Sequence, residues 1–458
     1  MAYITEAPKQ VPVIYEADVC VVGGSATGVF AAVRAARLGA KVAIVECQNS
    51  FGGVATNGLV SVWHTFMSMD RKKQVIAGLT EEVLERLPQM DHRIGNGQSH
   101  FFNPVELKCE LDQILREANV KIYLHTYYTG VSMDGDSIDA IFVENKDGRG
   151  AIKAKFFIDA TGDGDICRDL GIERYTNDDM QPPSYVYLMQ GRDDVLLFGR
   201  KEGDGSDPVT HLLNEFSEEF DIEKDWGWST FVPGIIGSKM RAVTHVFGKM
   251  CAKADDLTDA EIIGREKMRK VCRMMRKYGD TDELYSLVND CSYIGIRDTY
   301  HYKTKYTANH MDLLLGKKYE DNILRGTYNV DMHHDEKGIT FMQFDGTYTT
   351  ELTTGEIIKG NWRHEKGISG DIPIPTYYEL PFKALVGEKY KNIIAVGRMM
   401  NADAPAFGAL RVMVNLNQMG EAAGVAAYLA VNSGKSVQDL DGVEVARTLS
   451  KGGSANLG

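Results

Sequence analysis

Residues 21–46 read VVGGSATGVFAAVRAARLGAKVAIVE, and this stretch decides the fold. Asp18–Val22 is a short apolar strand, the glycine cluster GGSATG fills 23–28, and Val29–Leu38 is an alanine-rich helix. Lys41–Val45 is a second strand that ends on Glu46. A strand, a glycine turn, a helix and a strand within about 30 residues make the unit that cradles a dinucleotide pyrophosphate. Gly23 permits the tight turn out of the strand, and Gly28, without a Cβ, lets helix and strand pack closely. The helix N-terminus then offers unpaired N–H groups and a positive dipole end to phosphate. Ser25 replaces the middle glycine of G-x-G-x-x-G; it takes up room, and its hydroxyl is able to donate to a phosphate oxygen. Glu46 lies 18 residues beyond Gly28. A carboxylate there accepts from a ribose diol and repels a 2′-phosphate, which disfavours NADP. The bland alternative is a glycine turn in an ordinary α/β domain.

Composition narrows the partners. The chain has 458 residues, enough for two or more domains with sizeable cores. A net charge of −13 disfavours nucleic acid and anionic membrane surfaces. No apolar run is long enough to span a bilayer, and the first residues lack the pattern of a signal peptide. Seven scattered cysteines without a C-x-x-C pair point to reduced thiols in a cytoplasm. They speak against structural zinc, iron–sulfur and a redox dithiol, and no metal site is expected. A small-molecule substrate is the expected partner, with a homo-oligomer left open.

Three later stretches extend the first. SFGGVATNGLV follows Glu46 at 50–60, FFIDATGDGDI at 156–166 runs a strand into a Thr-Gly-Asp turn, and 392–430 reads as strand, glycine turn and long small-residue helix. Together with the first unit they resemble the FAD-dependent oxidoreductases of the glutathione-reductase-like fold, in the branch related to fumarate reductase flavoproteins. The resemblance spans most of the chain. It implies that Gly23, Gly24, Ser25, Ala26, Thr27 and Gly28 hold the ADP pyrophosphate and that Glu46 takes the adenosine ribose, with Cys47 beside it. It further implies that Gly52, Gly53, Ala55 and Thr56 lie along the ribityl and pyrophosphate. Val131, Ala160, Thr161, Gly162 and Asp163 would close the adenosine side, and Gly397, Arg398 and Gly408 would border the flavin.

The remaining pattern agrees with an α/β, Rossmann-like FAD domain: parallel sheet, helices and a β-meander, with an inserted α+β substrate domain. Asn103 caps a helix over 105–118, with Pro104 in its first turn. Lys121–His125 reads as a third parallel strand, and Val131–Val143 as a hairpin turning at Asp134-Gly135. The FAD domain is expected at 1–175 and 386–458, and the insert at 176–385, with helices near 208–218 and 259–278. The C-terminal helix is expected over about 409–431. Its start, Pro405–Gly408, would aim a dipole end at the flavin.

The insert supplies candidate chemistry. IGIRDTYHYKTKYT at 294–307 resembles the family's G-x-R-E-[ST]-R segment, with Asp298 for glutamate and Tyr300 for the second arginine; GTYNVDMHHD at 326–335 carries an Asp-x-His. Arg297 reads equally as a carboxylate clamp and as an interface ion-pair residue. His333 reads as a general acid or base, or as a structural histidine. On a strand Asp331 shares a face with His333 and orients it, while His334 points away. His64 is a substrate contact, a covalent flavin anchor or neither. Trp226 and Trp228 stack on a ring or pack beneath a loop, and Tyr300, Tyr302 and Tyr306 read as core. The expected activity is hydride transfer between flavin N5 and a small polar substrate such as a sugar or hydroxy acid. The sequence indicates no electron acceptor. The rival readings are a flavin that is not redox-cycled and an NAD enzyme on the same fold.

Overall fold

The computed structural model describes residues 2–87, 99–191, 208–278, 286–335, 338–352 and 354–452. Val13–Val22 is the central strand of a seven-stranded sheet, flanked in parallel by Val42–Val45 and by Gly148–Asp159. Lys121–Tyr123 adds in parallel beyond Val42–Val45. The long Gly148–Asp159 strand serves two neighbours: its first half pairs antiparallel with Ser137–Asn145, and Phe157–Asp159 pairs in parallel with Ile393–Ala395. Tyr127–Asp134 completes the meander. Residues 13–22 and 393–395, far apart in sequence, thus flank one strand. The parallel strands are covered on both faces, which is why Val19, Cys20, Val21 and Val22 are all buried and show no polar alternation.

Ala26–Arg37 packs between this sheet and the helix Met413–Ser433. Gly420 and Gly424 sit one turn apart on the later helix, and a Cβ on either would overlap the carbonyl oxygen of Thr27 or Ala31. The small-residue run is therefore a backbone-to-backbone contact between the two ends of the chain. Arg34 and Glu421 form a buried ion pair at 2.6 Å across the same seam.

Within residues 176–385, Trp228–Phe231, Ser238–His245, Ser184–Gln190 and Ser286–Asp290 form an antiparallel sheet in that order. Ala254–Tyr278 covers one side of it, burying Val271, Cys272 and Met275 with Tyr187 and Met189. A second antiparallel sheet is a meander of Val330–His334, Gly338–Met342, Thr347–Glu351 and Ile357–Asn361. Leu313, Leu324, Val330, Tyr378 and Leu385 join the same core as Val19, Phe30 and Ile44.

Several boundaries differ from the sequence expectation. The first strand starts at Val13, because Val13–Ala17 pairs with Ala151–Ala154. The third parallel strand stops at Tyr123, and His125 takes a left-handed φ of 48°. The helix expected near 259 starts at Ala254. The single C-terminal helix is two, Ala404–Leu410 and Met413–Ser433, broken where Val412 is extended (ψ 142°). Among the described residues no helix is long and apolar enough to cross a membrane.

Candidate active site

A cavity of about 1340 Å³ runs between the first sheet, the second sheet and the C-terminal helix. Pockets for one small ligand span roughly 300–1,000 Å³, so this one has room for an extended cofactor together with a substrate.

One end is built from the glycine turn. Gly23, Gly24, Ser25, Ala26 and Thr27 line the wall. Ser25 is the N-cap of Ala26–Arg37, its hydroxyl accepting from Gly28 N at 3.4 Å. Ser25 therefore serves the helix, and Gly28 stands behind the wall, packed against the Gly23 carbonyl. The N–H groups of Ala26 and Thr27 belong to the first turn, where the helix provides no acceptor. Gly52 N donates to Gly24 O at 2.8 Å, and Ser25 and Gly52 form a β-bridge. The Gly52–Gly53 segment is thereby laid alongside the turn on the same wall. Ala55 and Thr56 are fully buried behind it, with the Thr56 hydroxyl donating to Phe51 O at 2.6 Å.

Glu46 lines the cavity at the end of its strand. One carboxylate oxygen accepts from Gly24 N at 2.5 Å and the other from Gln48 N at 2.8 Å. The side chain both shapes the turn and presents its charge to the cavity. Cys47 also lines the wall; its thiol is pushed up to about 12, first by burial and then by the Glu46 carboxylate, so it stays protonated. Val131 does not line the cavity and packs against the apolar cluster of Ile141 and Val143.

Ala160, Thr161, Gly162 and Asp163 line the middle. Buried Asp159 organises this turn, accepting from Thr161 Oγ1, Ile166 N and Cys167 N at 2.8, 2.9 and 3.0 Å. Asp163 pairs with Arg398 at 2.8 Å, and both also bond the Thr299 hydroxyl. This ties the first glycine turn's neighbourhood to Gly397 and Arg398, which share the wall.

The far end differs from expectation at Gly408. That residue is off the cavity; a Cβ there would lie 2.8 Å from Asp331 O, so its role is to let Ala404–Leu410 pack on the Val330–His334 strand. The expected dipole end is closed as well, because Asp403 caps it by accepting from Ala406 N at 2.8 Å. The helix N-terminus facing the cavity is that of Met413–Ser433, which has no side-chain cap, and Val412, Met413, Leu416 and Asn417 line the wall.

Arg297, His333, Asp331 and His64 all line this far end. Arg297 Nη1 donates to Pro182 O and Ser184 Oγ, both at 2.8 Å. Burial, and then the neighbouring Arg411, pull its guanidinium down to about 10. His333 Nε2 lies 3.2 Å from Asp331 Oδ1. Burial and the Arg297 charge bring His333 down to about 3, which leaves it neutral near pH 7. Burial works against the Asp331 charge, yet His333 and Arg411 outweigh it and hold the carboxyl far below the usual range. The Tyr328 hydroxyl donates to Asp331 at 2.7 Å. The His64 ring lies tilted by 37° against Tyr328 with centroids 4.2 Å apart, and burial lowers His64 to about 4.

Other sequence candidates fall elsewhere. His334 turns away, to Asp179 and Thr340. Asp298 is buried against His301 at 2.9 Å, outside the cavity. Tyr302 is core, donating to Gly164 O at 2.9 Å. Trp226 and Trp228 do line the cavity. Sequence reasoning missed Tyr328, Arg411 and the buried Asp225–His245 pair, all on the same wall.

With this geometry in place, comparison with known proteins gives a class. The chain matches the FAD dependent oxidoreductase family over residues 18–449 and belongs to it. It is an enzyme of that family, with FAD as its cofactor. Among curated proteins it is similar to thiamine thiazole synthase of Thermococcus kodakarensis, 28% identical over 164 residues, covering 32% of this chain and 58% of that one. The Desulfosudis oleivorans thiamine thiazole synthase is 29% identical over 158 residues, covering 32% and 56%. The chain thus spans little more than half the length of these curated relatives. Similar solved structures include a p-nitrophenol 4-monooxygenase from Pseudomonas putida (12% identity, TM-score 0.48, 96% of this chain and 87% of that one). Another is a geranylgeranyl bacteriochlorophyll reductase-like protein from Thermoplasma acidophilum (12%, 0.45, 96% and 84%).

The observed residues fit FAD. The turn offers orphaned N–H groups, Glu46 a carboxylate at ribose distance in sequence, and the cavity enough length of wall to reach Asn417. Glu46→Ala is expected to weaken FAD retention about tenfold or more, the worth of hydrogen bonds to a charged group. Flavin remaining bound after exhaustive dialysis measures it, and wild-type content would remove the ribose role.

Proposed function

We propose that the enzyme transfers a hydride between FAD and a carbon of a small polar substrate, a sugar or hydroxy acid. We place it on the branch related to fumarate reductase flavoproteins. The observation that carries this reading is the cluster of Arg297, His333, Asp331 and Tyr328 on the wall shared by the glycine turn and the Met413 helix end. FAD, when bound, supplies the two-electron acceptor or donor. Gly23–Thr27, Glu46, Gly52 and Gly53 would hold its nucleotide half, and Arg398 with Val412–Asn417 its ring half.

The chain's own groups do the rest. Arg297 holds an anionic substrate group. Asp331 Oδ1 lies 3.2 Å from His333 Nε2, and His333 Nδ1, without a hydrogen-bond partner among the described residues, is left to take or give a proton. Residues 176–385 act as the substrate domain that closes over the ring and excludes water. The unpaired state of all seven cysteines suits a cytoplasmic enzyme.

Anaerobic mixing with sugars, sugar acids and hydroxy acids, read by flavin absorbance, tests the reading. A substrate should bleach the flavin, and His333→Ala should slow bleaching about a hundredfold with flavin content unchanged. A wild-type rate would remove His333 from the mechanism. A flavin that no candidate bleaches would support a non-redox role.

A further inference from the structure

Two imidazoles face each other across the substrate end of the cavity, and only one was visible in the sequence. The rings of His245 and His333 have centroids 4.9 Å apart. His245 is 3% exposed and lines the cavity. Its Nδ1 lies 2.6 Å from Asp225 Oδ1, and Asp225 accepts two backbone bonds besides, from Trp226 N and His245 N, both at 2.8 Å. Those donors keep Asp225 an acceptor, so the imidazole proton sits on Nδ1 and the lone pair on Nε2. His245 Nε2 has no hydrogen-bond partner among the described residues, and neither has His333 Nδ1. The Nε2 lone pair of His245 is therefore an unpartnered acceptor on the cavity wall, beside the His333 ring. Buried acceptors without donors are costly, and a ligand carrying hydroxyl groups removes that cost.

The third member is Arg297. Of the three arginines on the cavity wall, Arg398 pairs with Asp163 and Arg411 with Asp331. Arg297 has no carboxylate partner among the described residues; its Nη1 is anchored on Ser184 Oγ, and Ser184 is the cross-strand neighbour of His245. Arg297, itself outside the strands, is thereby anchored to the strand next to that of His245, which brings an anion site beside the unpartnered acceptor.

We propose that the cavity takes a small polyhydroxy carboxylate, its carboxylate on Arg297 and a hydroxyl donating to His245 Nε2, which makes His245 a substrate-binding residue beside the base His333, and Asp225 its positioning residue. This rests on the oxidoreductase reading of the same site and narrows its substrate class.

The test uses the flavin-loaded protein and four probes: gluconate, glycolate, acetate and glucose, with binding read by calorimetry. Gluconate should bind about tenfold more tightly than acetate or glucose, with glycolate between. His245→Asn keeps a donor for Asp225 and removes Nε2; it should lose about tenfold for gluconate and nothing for acetate. Arg297→Met should bring gluconate down to the level of glucose. Nitrogen-15 NMR of the wild type should show His245 protonated on Nδ1 near neutral pH, and Asp225→Asn should weaken that preference. Equal binding of gluconate and acetate, no effect of His245→Asn, or an Nε2-protonated His245 would each overturn the proposal. If flavin is held and bleached by a neutral sugar while these outcomes occur, the oxidoreductase reading stands and this inference alone fails. Protein that holds no flavin would sink both.

Discussion

Gly23→Ala is expected to yield protein without bound flavin and about 3 kcal/mol less stable than the wild type. Gly23 sits at φ 101°, where an alanine is strained by about 1–3 kcal/mol. A Cβ there would overlap the carbonyl of Ala160, just past the end of the neighbouring strand, and overpacking of this kind costs a further 1–3 kcal/mol or so. The two costs fall on the spot where the turn meets the Ala160–Asp163 wall, so relief by backbone movement displaces the phosphate cradle. Denaturant unfolding and flavin content per chain check both halves. Full flavin content with unchanged stability would mean that the turn does not have the geometry described.

Arg34→Met is expected to cost about 3–5 kcal/mol, the penalty for removing one partner of a buried ion pair. Glu421 is 0% exposed and accepts from Arg34 Nε at 3.1 Å and Nη2 at 2.6 Å. Its other oxygen accepts from Leu79 N at 3.0 Å, at the start of the helix Leu79–Arg86. Three segments meet on this carboxylate, and two of them carry opposite ends of the cavity wall. The double variant Arg34→Met/Glu421→Leu should recover much of the loss, because it removes both charges. Urea unfolding of the three variants measures this. A single variant as stable as the wild type would show that the seam between the Ala26 and Met413 helices does not depend on the pair.

What was legible in the sequence was local. The βαβ unit announced itself because strand, turn, helix and carboxylate fall within 21–46, and each has a spacing imposed by backbone geometry. Asp331 and His333 were legible for the same reason, two residues apart on a strand. Asp225 and His245 were not, since their contact spans 20 residues and depends on how a loop returns to the Ser238–His245 strand. The break at Arg411–Val412 was hidden because neither residue is a helix breaker. Tertiary contacts accompany it there: Arg411 reaches Asp331 at 3.3 Å, and Val412 and Met413 turn to the cavity. Gly408 misled for a related reason. A glycine before a long helix suggests close approach to a cofactor, whereas here the close approach is to the Asp331 backbone. Ser25 in place of glycine is explained by its capping of the helix.

The central claim is that one extended FAD lies along the wall that the two ends of the chain build together. A crystal structure of the purified, yellow protein tests it most directly. The account predicts adenosine beside Glu46, pyrophosphate at Gly23–Thr27, and the isoalloxazine ring between Arg398, the Met413 helix end and the His245–His333 pair. Density for the ring outside the surface of residues 397–417, or a nucleotide without a flavin ring, would contradict it.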